Sequence, residues 1–134
     1  MDLCIVSPAH IDRAWREGAD QLEIALERCG DECTASQLKL MLARGEKTLL
    51  ALVGDIPTAW AAVEFMNLPN MRVLHIYAIY APGNAVQATF EKLEAYAKDG
   101  GASSIQGACD PVISRLWQSK FDFKEQYRVM RKAL

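Results

Sequence analysis

A histidine and a glutamate in the middle of the chain have the residue types best suited to acid–base chemistry. His75 lies in an apolar run, and with Tyr77 and Ile79 it follows the period of two that places side chains on one face of a strand. Glu64 lies in the preceding run. An imidazole or carboxylate with a pKa near neutrality can take a proton from an ammonium ion. His75 and Glu64 are therefore alternative general bases, although a histidine in such a run is also commonly structural.

Motifs for other kinds of catalysis are missing from the sequence. There is no Gly-x-Ser-x-Gly nucleophile elbow, no Walker phosphate loop and no His-Glu-x-x-His zinc helix. Of the cysteines Cys4, Cys29, Cys33 and Cys109, only Cys29 and Cys33 lie close together, and the two histidines fall on different predicted elements. This spacing does not make a zinc site, so we expect idle thiols in a reducing compartment and no bound metal.

The composition is typical of one globular domain. The chain has 134 residues, 51% hydrophobic and 24% charged, and we expect a single domain over residues 1–134. Fifteen basic and seventeen acidic residues give a net charge of −2, which provides no general attraction to nucleic acid or to a membrane. Because the sequence shows neither a membrane-spanning run nor a secretory signal, we expect a cytoplasmic location.

The C-terminal end of the chain is basic. Residues 111–134 carry six basic and two acidic side chains, a net charge of +4 that could hold an anion. Solvated faces of surface elements also commonly differ in sign. A nucleic-acid surface would have to consist of the basic residues here and the aromatic residues between them, Arg115, Lys120, Lys124, Arg128, Arg131, Lys132, Trp117 and Tyr127. The cluster is small, so we do not expect a nucleic-acid partner.

Hydrophobic periodicity predicts a strand followed by helices in the first third of the chain. A short apolar run over residues 3–6 is typical of a strand. Residues 8–28 have helical spacing that Gly18 weakens, which predicts two short helices or one kinked helix. Residues 34–45 predict another helix, with a capping residue at its start and a glycine at its end.

The remaining two thirds predict an antiparallel meander and then alternating strands and helices. Turn residues separate three apolar runs rich in β-branched and aromatic residues. The predicted segments are strands over residues 48–53, 58–66 and 71–80, a helix after residue 84 that ends at Gly100, a strand over 103–109, a helix from Pro111 and a last strand over 123–130. The order β-α-α-α-β-β-β-α-β-α-β describes an α+β domain.

This order resembles the GNAT N-acetyltransferase superfamily over nearly the whole chain. The segment from Trp117 to Phe123 falls where the family often has Leu-Tyr-x-Lys-Leu-Gly-Phe, and a helix ending at Gly100 leads into the next strand. The resemblance implies a GNAT-like mixed, mainly antiparallel sheet flanked by helices, and transfer of an acetyl group from acetyl-CoA to an amine. Short divergent chains of this kind also look similar to proteins encoded in bacteriophage and prophage genomes.

The resemblance also implies where acetyl-CoA would bind. GNAT enzymes splay two strands around the pantetheine arm and hold the pyrophosphate on N–H groups where a glycine-rich loop opens a helix. The corresponding cofactor-binding residues here are Ile79, Tyr80, Ala81, Gly83, Asn84 and Ala85. This loop has one glycine and lacks the family pattern of Arg or Gln followed by x-x-Gly-x-Gly or Ala. We expect the strand ending near Tyr80 to splay from residues 103–109, and acetyl-CoA to bind weakly.

A glutamine occupies the position of the family's general acid. Alignment on Lys120 and Phe123 places Gln118 where family members often have a tyrosine that protonates the departing thiolate. A shift of one residue places Trp117 there, and neither side chain can donate a titrating proton. Tyr127 lies nearby in sequence, on the last predicted strand. We expect Trp117 to be a core residue and Gln118 a surface residue.

Two classes of function stay open. The first is a small N-acetyltransferase whose acceptor is a small-molecule or peptide amine. The second is a catalytically inactive GNAT-like scaffold used for binding or assembly, and the missing glycines and tyrosine favour it on mechanism. The sequence does not decide whether either form would be a homo-oligomer.

Overall fold

Five strands in sequence order form the sheet of this computed structural model, which describes residues 1–28 and 32–134. The strands are β1 (Asp2–Val6), β2 (Thr48–Val53), β3 (Ala59–Leu68), β4 (Met71–Tyr80) and β5 (Ser104–Gly107). Strands β1 to β4 pair antiparallel, whereas β4 and β5 pair parallel. The mixed, mainly antiparallel sheet and the central meander predicted from the sequence are therefore confirmed.

Helices cover both faces of the sheet. The α-helices of the described residues are α1 (Ile11–Arg16), α2 (Leu22–Glu27), α3 (Ala35–Ala43), α4 (Ala85–Asp99) and α5 (Pro111–Lys120). Gly18 has a φ of +126°, which favours glycine and separates α1 from α2, so the prediction of two short helices is confirmed. Thr34 and Gln37 form a capping box at the start of α3. None of these helices is long and apolar enough to cross a membrane.

The side chains of the sheet alternate between two hydrophobic cores. Leu49 and Ala51 of β2 pack under α1, α2 and α3, whereas Leu50 and Leu52 pack under α4 and α5. This alternation follows from the strand period of two. Each face of the sheet thus has its own set of helices, and a gap between two strands would connect the two faces.

A β-bulge in β4 changes which side chains share a face. Ala62 of β3 is opposite Ala78, but the next residue, Val63, is opposite Ile76, so Tyr77 is an extra residue in β4. Beyond the bulge Tyr77 and Ala78 both contact the core under α1 to α3, and Ile79 contacts the core on the other face. The prediction that Ile79 shares a face with His75 and Tyr77 is therefore wrong, because simple alternation takes no account of the extra residue.

The last predicted strand, residues 123–130, is also wrong. Asp122 turns the chain with a φ of +61°, and the structure describes residues 123–134 without a strand. Phe123 packs against Phe90 and Trp117, but Tyr127 is 78% and Met130 88% exposed. Alternating apolar residues form a strand when they have a face to cover, and α4 and α5 already cover the face that Phe123 reaches.

Candidate functional site

A cleft opens where β4 and β5 separate. Their parallel register runs from Val73 opposite Ser104 to Ile76 opposite Gly107, and β4 then continues to Tyr80. Beyond Gly107 the chain leads into α5. The space between the two diverging segments is a cavity of about 230 Å³. The predicted splay of these strands is therefore confirmed.

The cleft is lined from both faces of the sheet. Ala25 of α2 and Tyr77 belong to the core under α1 to α3, whereas Ile79, Phe90 of α4 and Trp117 of α5 belong to the opposite core. All five residues line the cavity. The gap between the strands therefore joins the two faces of the sheet.

Because Gly107 has no side chain, α5 can approach the point where the strands separate. A Cβ atom on Gly107 would lie 3.0 Å from two carbon atoms of the Trp117 ring and 3.3 Å from the carbonyl oxygen of Ile76. Trp117 is 6% exposed, and its ring meets that of Phe90 edge-on at 5.4 Å between centroids. The prediction that Trp117 is a core residue is confirmed, and this residue also forms one wall of the cleft.

An ion pair joins α2 to the start of α5 beside the cleft. Nη1 of Arg28 lies 3.0 Å from Oδ2 of Asp110, and both residues line the cavity. Oδ1 of Asp110 accepts a hydrogen bond of 2.8 Å from the N–H of Ile113 and so caps α5. This N–H and, after it, Arg28 hold the pKa of Asp110 below its usual value. Asp110 therefore stays ionised and links the two elements on either side of the cleft.

The structure brings the predicted cofactor-binding residues to the cleft and to the start of α4. Ile79, Tyr80 and Ala81 line the cavity, and the next residues lead directly into the 15-residue helix α4. Gly83, which has a φ of +33°, and Asn84 precede the helix, and Ala85 is its first residue. The N–H of Ala85 donates to the carbonyl oxygen of Pro82 at 2.8 Å. One donor of this turn is therefore already engaged, which leaves fewer for a phosphate.

Four polar side chains lie in one line across the sheet beside the cleft. The register places Glu64 of β3 opposite His75 of β4, and His75 opposite Gln106 of β5. Nζ of Lys47, the residue before β2, lies 3.2 Å from Oε2 of Glu64. Lys47, Glu64, His75 and Gln106 are here called the polar row. The structure thus brings both predicted bases together.

Lys47 engages the carboxylate of Glu64. The side chain of Lys47 is only 10% exposed, and its Nζ lies 3.8 Å from the centroid of the Tyr77 ring. Burial would lower the pKa of Lys47, but its contacts with Tyr77 and Glu64 outweigh burial and raise the pKa above its usual value. Lys47 therefore stays charged and holds the carboxylate of Glu64 in an ion pair.

His75 is half-buried and uncharged at neutral pH. Its Nδ1 lies 3.1 Å from Nε2 of Gln106, and its ring meets the ring of Tyr77 edge-on at 4.8 Å between centroids. Burial lowers the pKa of His75 below the usual value of 6.5. Glu64 opposes this effect, Lys47 adds to it, and the more distant Glu32 opposes it. A neutral imidazole is the form of histidine that can accept a proton.

Tyr77 connects the polar row to the cleft. Tyr77 lines the cavity and contacts both His75 and Lys47, whereas neither His75 nor Glu64 belongs to the cavity lining in the part of the chain that the structure describes. Lys47 and Gln106 were not predicted from the sequence. The two turns of the meander carry the signal for Lys47, since they fix which residues of β2 and β3 are opposite each other. Gln106 is placed by parallel pairing, for which the sequence has no local signal.

Trp117 lines the cleft, but the other two residues that the sequence places at or near the general-acid position lie away from it. Gln118 is exposed on α5 and donates to Oγ of Ser114 at 3.0 Å, so the prediction that it is a surface residue is confirmed. Tyr127 lies on the exposed C-terminal segment. Tyr77 and Tyr80 are the phenol groups among the described residues that line the cavity.

The thiols of the described residues are dispersed over the molecule. Cys4 is exposed, Cys33 donates to the carbonyl oxygen of Thr34 at 3.3 Å, and Cys109 lines the cavity. Cys29 lies outside the described residues. Among residues 1–28 and 32–134, no group of three or more histidine, cysteine and acidic side chains is arranged to hold a metal ion.

Comparison with solved structures identifies the fold. The chain is similar to a ribosomal-protein-alanine N-acetyltransferase from Brucella melitensis biovar Abortus, with 12% identity over 99% of this chain and 100% of that one and a TM-score of 0.70. An aminoglycoside acetyltransferase from an uncultured soil metagenomic sample has 16% identity, coverage of 99% and 97%, and a TM-score of 0.67. No family model matches the sequence, and no curated protein matches it.

A third similar structure contains the cofactor of its class. It is an aminoglycoside N-acetyltransferase in complex with CoA, with 13% identity over 99% of this chain and 93% of that one and a TM-score of 0.64. These similarities extend over nearly the full length of both chains at identities that indicate shared architecture alone. The chain therefore has the fold of the GNAT-type acetyltransferases.

Proposed function

From this fold, we propose that the protein is an N-acetyltransferase that moves an acetyl group from acetyl-CoA to an amine. The observation that supports this proposal most directly is the cleft at which β4 and β5 separate, because it joins the two faces of the sheet. An acyl donor entering from the side of α4 and α5 would meet an acceptor entering from the side of α2. Positioning two reactants in this way can lower a barrier by roughly 7 to 11 kcal/mol at best.

The residues at the cleft fit the chemical groups of acetyl-CoA. Ile79, Val86, Phe90 and Trp117 give the side of α4 and α5 an apolar wall suited to the acyl group and the pantetheine arm. The start of α4 offers N–H groups without helical partners and the positive end of the helix dipole to the phosphates. Because Ala85 already donates to Pro82, we expect binding to be weak and sensitive to salt.

His75 fits the role of general base better than Glu64. The carboxylate of Glu64 is engaged by Lys47, whereas His75 is neutral and adjoins the cavity-lining Tyr77. Acetyl-CoA, when bound, supplies an activated thioester carbonyl. His75, which lies outside the cavity lining, would receive the proton of the acceptor ammonium through one intervening water; the freed amine would form the new N–C bond, and the C–S bond would break as the thiolate leaves and takes a proton from water.

The alternative is a GNAT-like scaffold that binds without transferring an acetyl group. Two observations favour it: the turn before α4 has one N–H group already engaged, and Gln118 points away from the cleft on an exposed surface. Loss of a general acid is tolerable when the leaving group is a thiolate, because a thiol is acidic enough to leave with little assistance. The first function therefore remains our proposal.

A thiol-release assay tests the proposal. Acetyl-CoA is offered with a panel of small amines and peptides with free N-termini, and we expect turnover with at least one class of acceptor. His75→Ala is expected to lower the rate by about 10²- to 10⁴-fold, and Gln118→Ala to leave it unchanged. His10→Ala, at the other histidine, serves as the matched control. No turnover with any acceptor would favour the scaffold, and full activity of His75→Ala would remove His75 as the base.

A further inference from the structure

The contact between Gln106 and His75 bears on which ring nitrogen carries the proton. Nε2 of Gln106 lies 3.1 Å from Nδ1 of His75. An amide nitrogen has only protons to offer, so Nδ1 is the accepting nitrogen and the neutral ring carries its proton on Nε2. A hydrogen bond donated to the neutral form of a base stabilises that form. Gln106 therefore acts in the same direction as burial of the ring.

We propose that Gln106 is a positioning residue that holds His75 neutral with its proton on Nε2, by donating a hydrogen bond to Nδ1. Protonation of Nδ1 would place two donors against each other and break this hydrogen bond, so the contact favours the neutral ring. Only the kinetic consequence of this inference rests on the proposed function.

The other described groups that face His75 act on the charge of its ring and not on a particular ring nitrogen. Glu64 is opposite His75 on β3, but Lys47 engages its carboxylate. The Tyr77 ring meets the imidazole edge-on, and Glu32 acts on His75 at longer range. Lys47 and the carboxylates act on the charge of the ring as a whole. Gln106 is the residue with a hydrogen bond to a specific ring nitrogen among the described contacts of His75.

Substitutions at Gln106 test the hydrogen bond that its amide donates to His75. Glutamate at this position can only accept, so Gln106→Glu favours the imidazolium ion and adds a negative charge next to it. We expect this variant to raise the pKa of His75 by about one pH unit or more. Gln106→Met keeps the length of the side chain without either function, and we expect it to remove the preference for a proton on Nε2. Gln126→Glu adds the same charge on the exposed C-terminal segment and is the matched control.

Nitrogen-detected NMR of the full chain with labelled histidine tests the proposal. The sequence has two histidines, so the variant His10→Asn leaves His75 as the remaining signal. We expect His75 of wild type to show an Nε2–H tautomer and a pKa below 6.5, and Gln126→Glu to match wild type. Gln106→Glu is expected to raise the pKa of His75, and Gln106→Met to remove the preference for the Nε2–H tautomer. An Nδ1–H tautomer in wild type, or equal pKa values in Gln106→Glu and Gln126→Glu, would overturn the proposal. If Gln106→Glu does not fold, the tautomers of wild type and Gln106→Met decide.

The pH dependence of acetyl transfer separates this inference from the proposed function. A neutral base loses activity as the pH falls below its pKa, so the acidic limb of the rate profile is expected to move to higher pH in Gln106→Glu by the shift that NMR measures. If NMR shows the shift and the protein transfers no acetyl group, the proposed function fails and the role of Gln106 stands. If NMR shows the shift and the protein transfers acetyl groups, but the acidic limb of the rate profile does not move, His75 is not the base.

Discussion

Glu64 and His75 lie opposite each other on β3 and β4, yet the carboxylate of Glu64 is bound by Nζ of Lys47, 3.2 Å away. The two residues are equivalent candidates in the sequence, and this ion pair makes them unequal. Glu64 is tied to a mostly buried cation, whereas His75 contacts an uncharged amide and the ring of Tyr77. The two opposed residues therefore differ in their partners: Glu64 contacts a charged group and His75 an uncharged amide.

The ion pair between Lys47 and Glu64 is expected to contribute to stability. Glu64→Gln leaves the Lys47 ammonium, whose side chain is 10% exposed, without its carboxylate. Because Glu64 itself is about one third exposed, we expect a modest loss of about 1 kcal/mol in the free energy of unfolding. Urea unfolding of Lys47→Met, Glu64→Gln and the double variant measures the coupling. Strictly additive losses would show that the pair contributes nothing.

Stability is expected to fall in mild acid because of His75. The unfolded chain gains a proton on His75 as the pH falls through about 6.5, but burial lowers the pKa in the folded state, which stays neutral. The unfolded state then binds more protons, so the free energy of unfolding decreases with falling pH until the folded pKa is passed. Denaturant unfolding between about pH 7.5 and 5.5 measures this slope. His75→Asn is expected to flatten it and His10→Asn to retain it; equal slopes in wild type and His75→Asn would refute the assignment.

A buried hydroxyl on α4 is expected to cost stability. Thr89 is fully buried, and its Oγ1 has no hydrogen-bond partner in the residues that the structure describes. Valine has nearly the same shape without the polar atom, so Thr89→Val should raise the free energy of unfolding by about 1 kcal/mol. Thr58→Val, at a half-buried site, is the control for the general effect of the change. A loss of stability in Thr89→Val would mean that the hydroxyl is satisfied in solution.

The C-terminal segment beyond Phe123 is expected to be dispensable for folding. Its residues are exposed, and its ion pair between Arg131 and Glu32 has both side chains at least 60% exposed. Removal of residues 125–134 should therefore change the free energy of unfolding by less than about 0.5 kcal/mol. Phe123→Ala, which removes a ring packed on Phe90 and Trp117, should cost about 2 kcal/mol. Destabilisation by the truncation similar to that by Phe123→Ala would indicate that the segment packs as a strand in solution.

Local sequence patterns were sufficient to predict most of the helices and strands. The helices at residues 85–99 and 111–120 begin and end at capping, proline and glycine residues that can be read one element at a time. The bulge at Tyr77 could not be predicted, because an extra residue is a property of two paired strands and the alternation of β4 alone does not show it. The strand predicted at residues 123–130 failed for a related reason, since its pattern does not reveal whether a partner or a face is available.

The candidate site was predictable to the extent that it lies on single elements. Ile79, Tyr80 and Ala81 were placed at the cleft by the resemblance of this strand end and turn to the cofactor-binding loop of the GNAT superfamily. The polar row depends instead on register between strands, and Gln106 lies 31 residues from His75 in the chain. Contacts at that separation follow from how the sheet assembles. They become visible only when the pairing of β4 with β5 is known.

Titration calorimetry of acetyl-CoA tests the central claim, that the cleft between β4 and β5 binds this cofactor. Wild type is expected to bind with a Kd weaker than about 10 μM, and more weakly as salt is raised. Ala81→Phe, which fills the cavity from a lining position, should abolish binding, whereas Ala95→Phe on the exposed side of α4 should retain it. Equal binding by both variants, or no binding by wild type at low salt, would contradict the account.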